Sequence, residues 1–395
     1  MASGAENRIS RLPSSSSDES GRLDPRQRQE SWAHIKVVGA GGAGGNAVDR
    51  MIQSGVSGVE FIAVNTDAQT LMSSQAERRI RIGDKLTKGL GAGGQPSVGE
   101  KAAEEAYEEL QDALRGSDMV FIAVGMGGGT GTGSAPVIGE ISRNIAALTV
   151  GVVTRPFTWE GVPRKRISEE GIRNIREHVD TLITIPNDRI LEIAPKNTPI
   201  TEAFRLADEV LRQAVQGISD LITQPGLINL DFNDVKAIMQ NSGTAYMAIG
   251  YGSGENRAAD AMRDALANPL LEMSIDGAKG ILLNFTGGPD MSLHEVSQAA
   301  EIISNAADPD AQIIFGSVIE ESMSSDIQIT VIATGFDEQD IRRPGVRGAV
   351  EPRSPDSGDR PSVIPIGTEE IDEVDAEHDL EVPTFLRKRM NRQDR

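Results

Sequence analysis

Cysteine is absent from this chain of 395 residues, which excludes disulfide bonds and any chemistry that depends on a thiol. This absence is consistent with a reducing compartment. No apolar run approaches the about 18 residues that a membrane-spanning helix needs, and residues 1–22 contain no apolar core of a secretory signal. We therefore expect a cytoplasmic protein that does not itself insert into a membrane.

Positive charge is scarce, with 39 Lys and Arg residues against 59 Asp and Glu residues and a formal net charge of -20. Nucleic-acid binding needs a basic face that contacts phosphates, so no nucleic-acid partner is expected. Histidine is rare as well. The four histidines, which have no paired spacing, are His34, His178, His294 and His378. We predict no metal site built from protein side chains.

The hydrophobic pattern divides the chain into six segments, and the length favours two domains. The segments are a disordered arm (1–32), an α/β domain (33–199), a central helix (200–224), an α+β domain (225–336), a disordered linker (337–378) and a terminal peptide (379–395).

Strands alternate with helices through the first domain. The apolar run Ile35–Val38 is followed by a glycine loop and a helix from about Asn46, and SDMVFIAV, TVGVVTRPF and TLITIPND indicate further strands. This alternation predicts a Rossmann-like parallel sheet. All its strands end at one edge, which is where open α/β sheets bind ligands. A long helix over Ile200–Ile222 is expected to separate the two domains.

Three glycine-rich loops fall on that predicted edge. They are Gly39–Gly45, Gly89–Gly94 and Gly125–Gly133, called here the first, second and third glycine loops. Six of the nine residues in the third loop are glycine. Glycine lets backbone N–H groups approach a ligand, and a helix that follows directs its positive dipole end at the same point. The loops therefore suit phosphate.

The kind of phosphate ligand is a separate question. GAGGAG in the first glycine loop matches the dinucleotide fingerprint, whereas no Walker A motif G-x-x-x-x-G-K-[ST] occurs. A dinucleotide domain needs one such loop, so three loops favour a triphosphate held by backbone amides. An NAD-dependent oxidoreductase is an alternative that rests on GAGGAG alone.

The segment GGGTGTGSAP resembles the signature loop of the tubulin/FtsZ family of GTPases. GAGGAGGNAV, AVNTDAQ, VVTRPFTWEG, ITIPNDRIL and GLINLDFNDVKAIM resemble the loops of bacterial-type FtsZ proteins in the same order. The resemblance covers roughly residues 34–336. It implies a tubulin/FtsZ fold, GTP or GDP as the nucleotide, Mg²⁺ as its ion, and GTP hydrolysis by a protein that polymerises head to tail.

On the phosphate side, the resemblance implies contacts from all three glycine loops and from the segment after the second strand. These residues are Gly41, Gly42, Gly45, Asn46, Asn65, Asp67, Ala92, Gly93, Gly127, Gly128, Gly129, Thr130, Gly131, Thr132 and Gly133. Thr130 and Thr132 would donate their hydroxyls to phosphate. Asp67 would lie near the magnesium, and Gly93 would face the terminal phosphate.

The remaining nucleotide contacts implied by the resemblance lie further along the chain. The ribose and phosphate contacts are Thr154, Pro156, Glu160 and Arg164, and the base contacts are Asn187, Phe204 and Asp208. Asn187 and Asp208 would bond the guanine edge while Phe204 stacks on the ring. Without the resemblance, Asn187 would be a turn residue and Phe204 a core residue.

None of the nucleotide loops offers an obvious group to activate water. Asn229, Asp231 and Asp234 lie in a polar turn before a helix. In the resembled family this turn faces the nucleotide of the next subunit, so polymerisation would complete the site. Taken alone, Asp234 is an ordinary first-turn helix residue.

The resemblance also implies a cellular role. The filament would form the division ring at mid-cell, beneath the membrane. The linker of about 40 residues would span roughly 35 Å. Val382–Arg389 resembles the family's tail peptide and would bind a membrane-tethering adaptor through Phe385 and Leu386, unless it is an ordinary basic terminus. A structural polymer with little hydrolysis is the remaining alternative, and the Asp231 and Asp234 pair argues against it.

Overall fold

A ten-stranded sheet is the framework of the computed structural model, which describes residues 33–195, 197–224, 230–271, 274–323 and 325–336. The expected arm, linker and terminal peptide lie outside these residues, as does Asn229. The strands are β1 (Ile35–Ala40), β2 (Val59–Asn65), β3 (Arg78–Arg81), β4 (Met119–Gly125), β5 (Leu148–Arg155), β6 (Thr181–Pro186), β7 (Gly243–Ser253), β8 (Gly280–Gly287), β9 (Gln312–Ile319) and β10 (Asp326–Thr334).

Helices connect most of these strands. In the described part of the chain they are α1 (Gly41–Gln53), α2 (Ala68–Ser73), α3 (Asp84–Thr87), α4 (Pro96–Glu105), α5 (Tyr107–Leu114), α6 (Thr130–Asn144), α7 (Val162–Arg176), α8 (Asn187–Ile193), α9 (Ile200–Thr223), α10 (Phe232–Met239), α11 (Arg257–Ala267) and α12 (Leu293–Ala306). A short 3₁₀ turn spans Thr158–Glu160.

The first half of the sheet is parallel, as predicted, with β1 at its centre. β1 pairs with β2 on one side and with β4 on the other, and Ile35 is level with both Val59 and Met119. β4, β5 and β6 are almost entirely buried because both faces of the sheet are covered. Helices α1, α9 and α10 cover one face, and α4 to α7 cover the other. The predicted ligand edge therefore exists at the ends of β1, β4, β5 and β6.

The second half continues the same sheet. β7 pairs in parallel with β6 from Thr181 opposite Gly243 to Ile183 opposite Ala245. β10 then pairs antiparallel with both β7 and β8, and β9 closes the order β3-β2-β1-β4-β5-β6-β7-β10-β8-β9. The prediction of a parallel-sheet domain followed by an α+β domain is confirmed, and three residue pairs between β6 and β7 join the two halves of the sheet.

The first glycine loop is shorter than predicted. Helix α1 begins at Gly41 and not near Asn46, so most of the loop forms the first turns of the helix. A Cβ on Gly44 would lie 2.3 Å from the carbonyl oxygen of Ala123 in β4. This direct packing of helix backbone on strand backbone overrides the low helix propensity of glycine.

The helix predicted after the second glycine loop is in fact two helices, α4 and α5. The chain bends at Ala106, where φ is -101° and ψ is 17°, although no glycine or proline marks the break. Each helix buries its own apolar face against the sheet, through Ala102 in α4 and Leu110 in α5. Among the described residues, no helix combines the length and apolar character needed to cross a membrane.

Helix α9 runs from the carboxyl ends of the parallel strands to their amino ends. Its 24 residues correspond to about 36 Å. Near its start, Phe204 contacts Phe157, which follows the end of β5. At its end, Thr223 packs against Gly58, which precedes the start of β2. The helix therefore spans the full length of the strands, from the ligand edge at their carboxyl ends to their amino ends.

Gly250 in β7 provides a test of this packing. A Cβ there would lie 1.9 Å from the carbonyl oxygen of Ala261 and 2.4 Å from the amide nitrogen of Ala265, both in α11. We expect Gly250→Ala to lower the free energy of unfolding by about 2–3 kcal/mol, because rigid backbone must move. Urea titration of the nucleotide-free protein would measure this change.

Gly45→Ala is the matched control. A Cβ on Gly45 would meet no atom within 4 Å, and the residue lies inside α1. Alanine is the better helix former, so this variant should keep or gain up to about 1 kcal/mol. Equal urea midpoints for the two variants would contradict the backbone contact between β7 and α11.

Candidate functional site

The three glycine loops meet at the predicted edge of the sheet. A Cβ on Gly41 would lie 2.8 Å from the amide nitrogen of Gly131, which joins the first loop to the third. A Cβ on Gly129 would lie 2.7 Å from the amide nitrogen of Gln95 and 3.0 Å from the Cβ of Ala92, which joins the third loop to the end of the second. The loops thus form one continuous backbone surface.

Some glycines on this surface have no packing reason to be glycine. A Cβ on Gly42, Gly45 or Gly128 would meet nothing within 4 Å, and none of the three has a positive φ. Their missing side chains therefore leave open space beside backbone N–H groups at the starts of α1 and α6. Such a surface suits a group of negatively charged oxygens.

Other glycines of the third loop are explained by packing. A Cβ on Gly133 would lie 2.0 Å from the carbonyl oxygen of Pro96, at the start of α4. Gly127 has a φ of +99° and lies against Arg164 in α7. The prediction that every residue from Gly127 to Gly133 contacts the ligand is therefore broader than the packing requires, because several of them hold helices together.

The two threonines of the third loop differ in their surroundings. The hydroxyl of Thr130 lies 2.6 Å from that of Thr66, and Thr130 is half-buried. Thr132 is buried, its hydroxyl accepts a hydrogen bond from the N–H of Gly127 at 3.0 Å, and its methyl packs on Gly171. The Thr132 side chain therefore shapes the loop, and its expected contact with phosphate stays a prediction.

The segment after β2 carries Asn65 and Asp67 beside the third loop. Asp67 caps α2, because its Oδ1 accepts hydrogen bonds from the N–H groups of Gln69 and Thr70 at 2.9 and 3.2 Å. These bonds, first that from Thr70, hold the pKa of Asp67 below its usual value. The carboxylate therefore stays charged at neutral pH, with Oδ2 outside the capping bonds.

Aromatic side chains line the expected base side. Phe157 stacks on Trp159 with ring centroids 5.4 Å apart, and Phe204 meets both rings edge-on at 5.5 and 5.8 Å. Phe204 is 40% exposed. Phe204 was predicted, but its aromatic neighbours were not, although both stand in the quoted segment VVTRPFTWEG. A partly exposed ring fits stacking on a planar ligand better than it fits a core position.

Two polar groups in this region are buried, and their loss of contact with water is not fully offset by partners. The Oδ1 atom of Asn187 is buried and has no hydrogen-bond partner among the described residues. Burial raises the pKa of Asp208 to about 7, although the positive charge of Arg50 opposes the shift. Arg50 is a neighbour that the sequence did not indicate. A buried acceptor and a desolvated carboxylate are both stabilised by a ligand that donates hydrogen bonds.

On the ribose side, one expected contact residue already has partners within the chain. Thr154 is buried at the end of β5, and Pro156 follows at the rim. Glu160, expected to contact ribose, uses its carboxylate within the chain. Its Oε1 accepts the N–H of Phe157 at 2.8 Å, and its Oε2 lies 3.1 Å from Nε of Arg164. Glu160 therefore fixes the loop and orients the exposed Arg164.

Asp231 and Asp234 lie away from the glycine loops. Both are exposed at the start of α10, where the Oδ1 of Asp231 accepts the N–H of Asp234 at 2.9 Å. The other end of α10 is fixed at the start of β6, because the Thr181 hydroxyl donates to the carbonyl oxygen of Met239. Thr181 is the first residue of β6, so this contact lies at the amino ends of the parallel strands, away from the ligand edge.

Models of two domain families match the chain. The Tubulin/FtsZ family GTPase domain matches residues 34–195, and the FtsZ family C-terminal domain matches residues 243–337. The first match contains the three glycine loops and Asn187, and the second begins with β7.

Solved structures of such proteins are similar throughout the described region. An empty FtsZ dimer from M. jannaschii is 48% identical, with a TM-score of 0.75, and the match covers 79% of this chain and 93% of that chain. The GTPγS-bound protofilament of CetZ2 from Haloferax volcanii has a TM-score of 0.68 at 20% identity, covering 77% and 94%. The GDP-bound CetZ1 monomer from Haloferax volcanii has a TM-score of 0.67 at 21% identity, covering 77% and 95%. The CetZ matches show the fold alone.

The raised pKa of Asp208 predicts a specific pH dependence. The folded state keeps this proton up to about pH 7, whereas the unfolded chain loses it near pH 4. The contribution of Asp208 to stability is therefore fully present below pH 4 and is lost as the pH rises to about 7. In urea titrations without nucleotide, Asp208→Asn should gain stability relative to the parent between pH 4 and 8.

Asp67→Asn is the control with the opposite sign. Its folded pKa is lowered, so its stabilising contribution is present above the unfolded value and is lost as the pH falls. This variant should lose stability relative to the parent as the pH rises through about 4. A Asp208→Asn difference that stays constant with pH would contradict the buried, protonated carboxyl.

Proposed function

The chain belongs to the FtsZ family of tubulin-like GTPases, and from this premise we propose that it hydrolyses GTP at a site completed by the next subunit of a head-to-tail filament. One observation carries this proposal. The glycine loops lie at the carboxyl ends of the parallel strands, whereas the short helix that begins with Asp231 and Asp234 ends at the opposite, amino end of β6, and α9 of about 36 Å runs between these two levels.

GTP would bind along the glycine loops with its base against Phe204. The N–H groups beside Gly42 and Gly128 would receive phosphate oxygens, since no side chain occupies the space above them. Asp208 would accept the guanine N1–H and N2–H, and so lose its proton when GTP binds. Asn187 would gain a donor for its buried Oδ1. Guanine is favoured over adenine because adenine offers no N1–H to a carboxylate.

The residues present fit a magnesium ion held mainly by the nucleotide. The described residues contain no group of three or more His, Asp or Glu side chains that could hold a metal ion. Magnesium is commonly bound by one or two carboxylates together with phosphates and water. Asp67, kept ionised by its capping bonds, would supply that carboxylate. When bound, the ion would offset the charge of the phosphates.

Carboxylates on the nucleotide side already have other functions. Asp67 caps α2, Glu160 bonds to Phe157 and Arg164, and Asp208 is desolvated at the base position. With Asp67 proposed for magnesium, Glu160 bonded within its loop and Asp208 at the base, a further group is needed to orient a water molecule at the terminal phosphate. A carboxylate from outside the pocket would meet that need.

Asp231 and Asp234 of the neighbouring subunit would supply it. Both are exposed, and the Asp234 carboxylate has no hydrogen-bond or ion-pair partner within the described ranges. They would orient a water whose oxygen attacks the terminal phosphorus while the bond to the bridging oxygen breaks. GDP leaves with the bridging oxygen, and the proton of the water passes to the released phosphate.

Subunits joined this way form a filament, because a contact between two different faces that does not close into a ring repeats indefinitely. A relative of 48% identity that was solved as a dimer supports self-association. We further propose that the filament forms the division ring in the cytoplasm at mid-cell. There a membrane-tethering adaptor would bind Val382–Arg389, which lies outside the described residues.

Assembly-dependent activity is the first prediction from this proposal. GTP turnover per subunit should be near zero at low protein concentration and should rise above a threshold as filaments form.

Asp234→Ala should still bind GTP and assemble, with turnover lowered roughly 10²-fold. Asn233→Ala, a change at the exposed neighbouring residue, should stay within about twofold of the parent. Phosphate release and light scattering would be measured together.

Mixing two inactive variants makes the test sharper. Gly128→Leu fills the open space at the third glycine loop without striking packed atoms, so it should block nucleotide binding while keeping Asp234 intact. Asp234→Ala keeps the pocket. In mixed filaments, some junctions combine the intact pocket of one subunit with the intact Asp234 of the next. These filaments should regain part of the turnover. If activity per subunit is independent of concentration and mixing restores nothing, the site is within one chain.

The adaptor role of the tail is tested in cells. Phe385→Ala combined with Leu386→Ala removes the two expected apolar anchors and should leave GTP turnover and filament formation unchanged. A fluorescent fusion of this variant should lose its mid-cell ring. Met390→Ala combined with Asn391→Ala, just beyond the expected segment, is the control. Normal rings in the first variant would contradict adaptor docking at Val382–Arg389.

A further inference from the structure

Thr66 has a contact that the proposed nucleotide site does not explain. It stands between Asn65 and Asp67 and is fully buried, with 0% of its surface exposed. Its hydroxyl oxygen lies 2.6 Å from that of Thr130, the first residue of α6. This distance is that of a strong hydrogen bond between two hydroxyls. Thr66 therefore contacts the third glycine loop from its buried side.

The direction of this hydrogen bond follows from counting protons. Each hydroxyl has one proton, and Thr130 is the partner of the Thr66 hydroxyl among the described residues. If Thr130 donated, the Thr66 proton would be buried without an acceptor, at a cost of about 1–3 kcal/mol. If Thr66 donates, the proton of the half-buried Thr130 is free to turn towards the open side of the loop. The second arrangement satisfies both groups.

We propose that Thr66 is a positioning residue, whose donated hydrogen bond aims the hydroxyl proton of Thr130 at a phosphate oxygen of the bound nucleotide. The inference rests on the proposed GTP site. Accepting one hydrogen bond also makes a hydroxyl a better donor, so the pair acts as a short chain. Thr66 itself contacts no ligand, and its effect passes through Thr130.

The position of Thr66 is fixed by contacts with α3 and with the start of the second glycine loop. The Thr87 hydroxyl, which donates to the carbonyl oxygen of Gly83 at 3.0 Å, is 3.4 Å from the carbonyl oxygen of Thr66. Next to it, the N–H of Ala68 donates to the carbonyl oxygen of Gly89 at 3.1 Å. These contacts hold the Thr66 backbone in place, so its hydroxyl is preorganised before a nucleotide arrives.

Two variants isolate the hydroxyl of Thr66 in the full chain. Thr66→Ser and Thr66→Ala both lack the methyl group, and they differ only in the oxygen. Affinities for GTP and for guanosine would be measured by competition with a fluorescent GTP analogue. We expect Thr66→Ala to weaken GTP binding about tenfold and Thr66→Ser to stay within about threefold of the parent. Guanosine, which has no phosphate, should bind all three proteins equally.

The combination of Thr66→Ala with Thr130→Ala distinguishes positioning from a general structural role. If Thr66 acts through Thr130, the double variant should bind GTP no more weakly than Thr130→Ala alone. Additive losses, an equal loss for guanosine, or unchanged GTP binding by Thr66→Ala would each overturn the inference. Failure of the parent protein itself to bind GTP would instead overturn the proposed function.

Discussion

Direct packing of backbone on backbone at the glycine loops is the constraint on which the rest of the site depends. Gly41 lies against Gly131, Gly44 against Ala123, and Gly129 against Gln95, each at a distance that a Cβ would not permit. These contacts bring the starts of α1 and α6 side by side at one edge of the sheet. The free N–H groups of two helices therefore lie close together there, which is what a chain of phosphates needs.

Electrostatic environment then assigns different roles to the carboxylates. Asp67 is held ionised by two backbone N–H groups, whereas Asp208 is kept partly protonated by burial. Glu160 is used within its own loop. Each of these three carboxylates therefore has a role other than water activation. In the function proposed above, the exposed aspartates at the start of α10 act on the nucleotide of another subunit, and this coupling would make hydrolysis depend on assembly.

The gaps between expectation and structure have one common cause, which is tertiary packing that no short motif encodes. Helix α1 extends back to Gly41 because β4 supports it. Thr132 and Glu160 have side chains suited to a ligand, and the structure adds partners that no motif indicated, because their oxygens accept the N–H groups of Gly127 and Phe157. Thr66 was not predicted because its importance comes from Thr130, 64 positions away in sequence.

Hydrophobic period and glycine clustering are local properties, so they were enough to predict the fold class, the parallel sheet with its ligand edge and the three glycine loops. Resemblance of the loops also indicated the family, which the domain models confirm. The folded chain was needed to see which glycines are open and which are packed, which hydroxyl is free, and why Asp208 holds its proton. Those properties depend on distances between residues far apart in sequence, and on how much water reaches them.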